Sequence, residues 1–277
     1  MRPTPPARRA RPSSANPSAA AGRGATSWPI RPAWPGRDLS SAAVDGQARR
    51  LLRRALVVLA AGVVVAAVLH LVADRHAVAL AAACAGSCRL AMREVTRFGE
   101  GWETLLPAGL VILACAARRL RGIPVGERLA RLGWIMAFVA TAVGGGGGGA
   151  ALIKNAVGRA RPFVDVGDVL ALRPLAFSSQ WAAFPSGHAA TAGATAAVLA
   201  LLFPRSGPVA LVVFALVAAS RVAVGAHFPS DVAAGFALGF AVTLMVAAAF
   251  LKRHRVFQIC GGRLWRRPVL RPSGAAG

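Results

Sequence analysis

Residues 55–72 read ALVVLAAGVVVAAVLHLV, 18 residues without a formal charge, bounded by Arg53 and Arg54 on one side and Asp74 on the other. At 1.5 Å of rise per residue a helix of that length reaches about 27 Å, close to the ~30 Å of hydrocarbon in a bilayer. Five more apolar runs follow, at 105–117, 132–153, 189–203, 209–219 and 232–251, with Pro204, Pro208 and Pro229 punctuating the last three. The run at 105–117 is short and must recruit Trp102 and its neighbours to cross. The run at 132–153 holds six consecutive glycines, Gly144 to Gly149. In lipid the helix can survive them because its backbone has no water to turn to, and the bare surface lets a neighbour come close. The expected fold is all-α: a polytopic membrane protein with six transmembrane helices.

Composition agrees. Of 277 residues 56% are apolar and 16% charged, with a mean hydropathy of +0.55, too apolar for an ordinary soluble domain. A formal charge of +23 would suggest a nucleic-acid partner in a soluble chain. Here the bases crowd into the termini and one central loop, so no nucleic acid is expected. Twenty-four of the 33 basic residues fall before the first run, between the second and third, between the fourth and fifth, or after the sixth. By the positive-inside rule both termini are then cytoplasmic, and the segments 74–104, 154–188 and 220–231 face outward across an inner membrane. Trp102, Trp134 and Trp181 stand at run ends, where interfacial indoles belong.

Around this core, residues 1–50 read as a disordered Arg- and Pro-rich tail, 51–252 as the membrane domain and 253–277 as a basic tail. Four cysteines show no metal-ligand spacing. Only Cys84 and Cys88 fall in an outward segment, and residues four apart on one helix seldom meet disulfide geometry. Arg89, Arg93 and Arg97 recur at every fourth position. That pattern suits an interfacial helix beside the site described next.

Three polar clusters lie in the outward segments. Residues 154–162, KNAVGRARP, place one of only two lysines, Lys154, before the pair Arg161-Pro162 with six residues between them. A helix continued through them would set Lys154 and Arg161 on one face about 10 Å apart. Residues 185–188, PSGH, offer Ser186 and Gly187 at a helix start, where free N–H groups bind anions, with His188 beside them. Residues 220–231, SRVAVGAHFPSD, carry Arg221, His227 and Asp231. Charged groups at the edges of apolar runs are costly and usually paired or functional. Together the clusters provide three cations, backbone donors, two histidines and a carboxylate, a set that fits a phosphate ester or diphosphate. Without a carboxylate cluster, neither metal nor other cofactor is expected, and the cations themselves must stabilise the charge that develops in phosphoryl transfer. His227, four residues from Asp231, suits a nucleophile aimed by a carboxylate; His188 is left to protonate the departing oxygen.

These residues resemble the three-part signature of the type 2 phosphatidic acid phosphatase family, Lys-x6-Arg-Pro, Pro-Ser-Gly-His and Ser-Arg-x5-His-x3-Asp, with every gap correct. The resemblance covers roughly residues 50–252. It implies a six-helix, metal-independent membrane phosphatase that passes phosphate from a phosphorylated lipid through a phosphohistidine. By position Lys154, Arg161, Ser186, Gly187 and Arg221 would bind phosphate, His188 would be the acid, His227 the nucleophile and Asp231 its orienting partner. Phe228 stands where many members have Tyr, and the glycine run and long basic N-terminus depart from the family pattern. Arg159 falls outside the signature and is expected to be dispensable. A lipid phosphotransferase using the same intermediate and a non-catalytic six-span protein are the competing readings. Soluble vanadium haloperoxidases share the signature, but six spans argue against one.

Overall fold

The computed structural model describes residues 40–164, 168–253, 255–260 and 263–266. These are mostly helical. The long helices are α1 (Ser41–Val72), α4 (Trp102–Leu120), α5 (Glu127–Val157), α6 (Gly187–Leu202), α7 (Gly207–Ala223) and α8 (Pro229–Lys252), one for each apolar run. Two shorter ones, α2 (Ala77–Ala83) and α3 (Ser87–Arg97), lie between α1 and α4. The stretches Ser41–Val72, Ser87–Leu120, Glu127–Val157 and Pro229–Lys252 are long and apolar enough to cross a membrane; Gly187–Leu202 and Gly207–Ala223 are apolar but shorter.

Both expected tail boundaries move. Ser40 caps α1 by accepting from the Ala43 N–H at 3.2 Å. Val44, Ala48, Leu51 and Ala55 then recur on one buried face, while Arg49, Arg50, Arg53 and Arg54 point to solvent. Residues 41–50 are thus a helix that packs; the rest of the expected tail, up to residue 39, lies outside the described residues. At the other end β1 (Phe257–Cys260) pairs antiparallel with β2 (Arg263–Arg266), so the fold is not purely helical. Val256, Phe257 and Ile259 are buried, and the Phe257 ring meets Phe138 of α5 edge-on at 5.0 Å. Apolar side chains in a segment of basic character give the hairpin a reason to fold back.

Helix α8 is central, packing along α1, α6 and α5. Its approach to α6 depends on glycine. A Cβ at Gly193 would strike the Phe236 carbonyl, one at Gly235 the Ser186 carbonyl, and one at Gly239 the Ala190 carbonyl. The glycine run stays helical. Gly146 lies against the Cα of Gly239 and the Cβ of Ala194, where an added Cβ would meet them at 3.2 and 3.3 Å, whereas Gly148 and Gly149 face open space. Only part of the run therefore serves close packing.

Cys84 and Cys88 form a disulfide with Cα atoms 5.2 Å apart. The objection from helix geometry does not apply, because α2 ends at Ala83 and Gly86, at φ +56°, turns the chain before α3 begins.

Candidate active site

Helix α5 does not continue through its basic cluster. It stops at Val157, and Gly158 turns left-handed at φ +62°, with the Arg173 carbonyl where a Cβ would be. Lys154 therefore stays on the last turn of α5 while Arg159 and Arg161 leave in an extended strip. The Arg161 N–H donates to the Gln180 carbonyl at 2.9 Å and the Ala183 N–H to the Arg159 carbonyl at 3.1 Å. The expected single helical face for Lys154 and Arg161 is thus replaced by a turn. The turn still brings them together.

Ser186 caps α6, its hydroxyl accepting from the Ala189 N–H at 3.4 Å. Gly187 follows with Lys154 so close that an added Cβ would lie 3.3 Å from Nζ. His188 is within electrostatic range of Arg221, His227, Lys154 and Arg161. Helix α7 supplies Arg221, whose Nη1 donates to Thr96 Oγ1 of α3 at 3.1 Å. Among the described residues, the Nε–H groups of Arg161 and Arg221 are buried without a hydrogen-bond partner. A buried donor without an acceptor is costly, and two aimed from different elements suit an anion.

His227 lies in the turn between α7 and α8 and is only 2% exposed. Its Nδ1 is 2.9 Å from the Ala183 carbonyl oxygen and 3.7 Å from Asp231 Oδ2. A carbonyl only accepts, so Nδ1 carries the hydrogen and Nε2 keeps a lone pair. The expected pairing of His227 with Asp231 is present as an ion-pair contact at 3.7 Å, while the shorter hydrogen bond of Nδ1 goes to the Ala183 carbonyl. Asp231 spends Oδ2 on the Phe228 N–H at 2.9 Å and Oδ1 on Arg159 Nη1 at 2.7 Å, and acts on His227 through charge. Burial holds the imidazole below its ordinary pKa, Asp231 opposes that, and Arg161 and Arg221 reinforce it. His227 is thus neutral near pH 7.

Arg159 is not a spectator. At 3% exposure it bridges Asp231 and Asp74, donating to Asp74 Oδ2 at 2.8 Å. The family pattern omits both residues. A lone acid directly after the first apolar run, with His70 inside that run, was the available sign of Asp74. Of the expected interfacial helix, Arg89 folds back onto the Ala81 and Cys84 carbonyls and Arg97 pairs with Glu94. Its buried Thr96 is what reaches the site. Among the described residues, no group of three or more His, Cys, Asp or Glu stands together as a metal site.

The PAP2 superfamily model matches residues 129–255. Decaprenylphosphoryl-5-phosphoribose phosphatase of Mycobacterium tuberculosis is 34% identical over 166 residues, 59% of this chain and 81% of that one. The chain belongs to the PAP2 superfamily. Lipid A 1-phosphatase of Rhizobium etli is 39% identical over 130 residues, and this match spans 46% of the chain and little more than half, 56%, of that relative. A transmembrane PAP2 type phosphatidylglycerolphosphate phosphatase from Bacillus subtilis, solved by crystallography, is 24% identical, covers 71% of this chain and 95% of its own, and has a TM-score of 0.49. As a PAP2 member with several membrane-length helices, the chain is a multi-pass membrane protein. The PAP2 match takes in Lys154, Arg161, Ser186, Gly187, His188, Arg221, His227 and Asp231.

Proposed function

We propose that this PAP2 protein is a phosphatase that removes phosphate from a lipid phosphate or diphosphate through a phosphohistidine at His227. The observation that carries the reading is the pair of buried, unpartnered Nε–H donors of Arg161 and Arg221 beside a histidine whose Nδ1–H is already committed to Ala183. The lone pair on His227 Nε2 forms a bond to phosphorus as the phosphorus–oxygen bond to the lipid breaks. His188 gives its proton to the departing oxygen. Water then attacks the phosphohistidine, losing a proton to His188, and the phosphorus–nitrogen bond breaks to release inorganic phosphate. Lys154, Arg161, Arg221 and the N–H groups after Ser186 hold the phosphoryl oxygens throughout. The groups present need no metal for any step.

The topology that suits this chemistry has six spans, cytoplasmic termini and an outward site in an inner membrane. The basic residues favour it, and the Cys84–Cys88 disulfide, on the same side as the site, suits an oxidising compartment. Helices α6 and α7, of 16 and 17 residues, reach only about 24 to 26 Å. A site built at their ends would be recessed toward the acyl region, where a lipid head group arrives with its chains still in the bilayer.

Two relatives are named for lipid A and for a decaprenylphosphoryl sugar phosphate. Those lipids, with phosphatidic acid, phosphatidylglycerol phosphate and polyprenyl diphosphate, form the panel for a phosphate-release assay of the purified full chain without added acceptor. Release from at least one lipid, lost in His227→Ala, is expected. Full activity in His227→Ala, or transfer only when an acceptor alcohol is supplied, overturns the reading.

A further inference from the structure

Behind His227 lies a cluster whose core, Arg159, Asp74, Ser230 and Asp231, is buried and paired. Arg159 donates through Nε to the Val169 carbonyl at 3.0 Å and through Nη1 to Ser230 Oγ at 2.8 Å and Asp231 Oδ1 at 2.7 Å. Its Nη2 reaches Asp74 Oδ2 at 2.8 Å and the Val169 carbonyl at 2.7 Å. Asp74 in turn accepts from the Ser230 N–H at 3.0 Å and from the Ser230 hydroxyl. His70 stands at its edge, 3.0 Å from Asp74. The Phe228 ring closes the cluster, 4.2 Å from the Arg159 guanidinium carbon.

Burying three charges is expensive, and an apolar filling of the same space would be as stable or more so. What the apolar filling would lack is a connection to His227. The Arg159 cluster has two. Arg159's own carbonyl accepts the N–H of Ala183, and the Ala183 carbonyl accepts His227 Nδ1. Arg159 also holds the carboxylate that faces the same ring at 3.7 Å.

The charge count is informative. One guanidinium stands between two carboxylates, with His70 at the outer edge of Asp74, so Asp231 receives only part of the Arg159 charge. Were Asp231 the sole partner of Arg159, its charge would be cancelled. Asp74 takes half of the guanidinium and so leaves Asp231 able to favour the cationic ring that a phosphohistidine with a protonated Nδ1 contains. We propose that Arg159 and Asp74 are positioning residues for His227, Arg159 setting the place of Asp231 and Ala183 and Asp74 preserving the negative charge that Asp231 presents. The inference rests on the reading of His227 as nucleophile.

The charged and titratable groups around His227 are Asp231 on α8, Arg161 in the strip after α5, Arg221 on α7 and His188 on α6, with Arg159 behind Asp231 and Lys154 beyond His188. Asp74→Asn leaves the whole charge of Arg159 on Asp231, so the acidic limb of kcat/KM moves to lower pH. Arg159→Lys replaces a fork by a point charge that cannot serve both acids, so Asp231 is less compensated and the limb moves to higher pH. Each variant lowers kcat by on the order of 10-fold with KM unchanged, since the phosphate contacts are untouched.

The experiment measures pH profiles of phosphate release and thermal midpoints for the full chain in detergent, with His227→Ala alongside. Opposite displacements of the limb are expected. A limb that stays in place in both variants, or losses confined to KM or to the thermal midpoint, overturns the inference. If Arg159→Lys does not accumulate, Asp74→Asn, which keeps size and burial, is decisive alone: an unmoved limb refutes. Turnover by His227→Ala would instead defeat the underlying phosphohistidine reading, whatever the other variants do.

Discussion

The backbone N–H of Ser186 donates to the backbone carbonyl of Asp231 at 3.0 Å. That bond fastens the start of α6 to the start of α8, and with it the His188 turn to the His227 turn. It forms only because Gly235, one helical turn further along α8, leaves room for the Ser186 carbonyl.

Gly235→Ala should accordingly separate the two turns. A methyl group forced against a backbone carbonyl costs roughly 1–3 kcal/mol, and activity should fall further than stability because Ser186 and His188 move with it. Gly148→Ala, facing open space, should change neither. Thermal midpoints and phosphate release of the two variants check this, and equal behaviour would mean that helix contact does not set the site.

Neutral His227 is the reactive form, and its burial lowers its pKa below the 6.5 of an ordinary histidine. The sign follows: the folded group resists protonation, so activity persists as pH falls through 6.5 and is lost only when the depressed pKa is reached. The acidic limb of kcat/KM should lie below 6.5. A limb above it would contradict a neutral buried nucleophile.

Arg161→Lys should lower kcat/KM by about 30- to 1,000-fold, the range for one lost charged contact in a desolvated site. The exposed Arg93 is the proper indifferent comparison, and Arg93→Lys should do little. Arg159, which its place outside the signature marks as indifferent, cannot serve, because it is buried between two carboxylates. Comparable kinetics for the Arg161 and Arg93 variants would reduce Arg161 to a membrane anchor.

Chelation gives a simple check. With cations and helix N–H groups holding the phosphoryl oxygens, EDTA should leave phosphate release unchanged, and vanadate, a mimic of five-coordinate phosphorus, should inhibit. Loss of activity in EDTA that added divalent ions restore would require a different mechanism.

For topology, an alkaline phosphatase fused after the last residue should be inactive, its carrier domain remaining in the cytoplasm. Alkylation of intact cells should label Cys84 and Cys88 only after reduction. An active fusion would invert the proposed orientation.

Much of this was legible in the chain. Apolar runs bounded by Arg, Asp or Pro marked all six long helices, since exclusion of charge from hydrocarbon is a one-dimensional rule. Each signature residue could be found from its spacing. What escaped was three-dimensional. The left-handed turn at Gly158, which takes Arg159 and Arg161 off the helix, depends on a carbonyl from residue 173. The partner of His227 Nδ1 is a main-chain oxygen of Ala183, which no side chain betrays. Asp74 and Arg159 meet across 85 residues, and only folding shows that these two charges answer one another.

The hairpin after α8 bears on how the protein is made. Phe257 follows the last of the described helices in leaving the ribosome, yet it fills the space against Phe138 at one end of the bundle. Helices can enter the membrane one after another as they are synthesised, but this end of the bundle cannot close until the final helix is in place and the chain has doubled back. Insertion and completion of the fold are therefore separate events. A chain ending at Lys252 would carry every described helix and still lack the aromatic ring that closes their core.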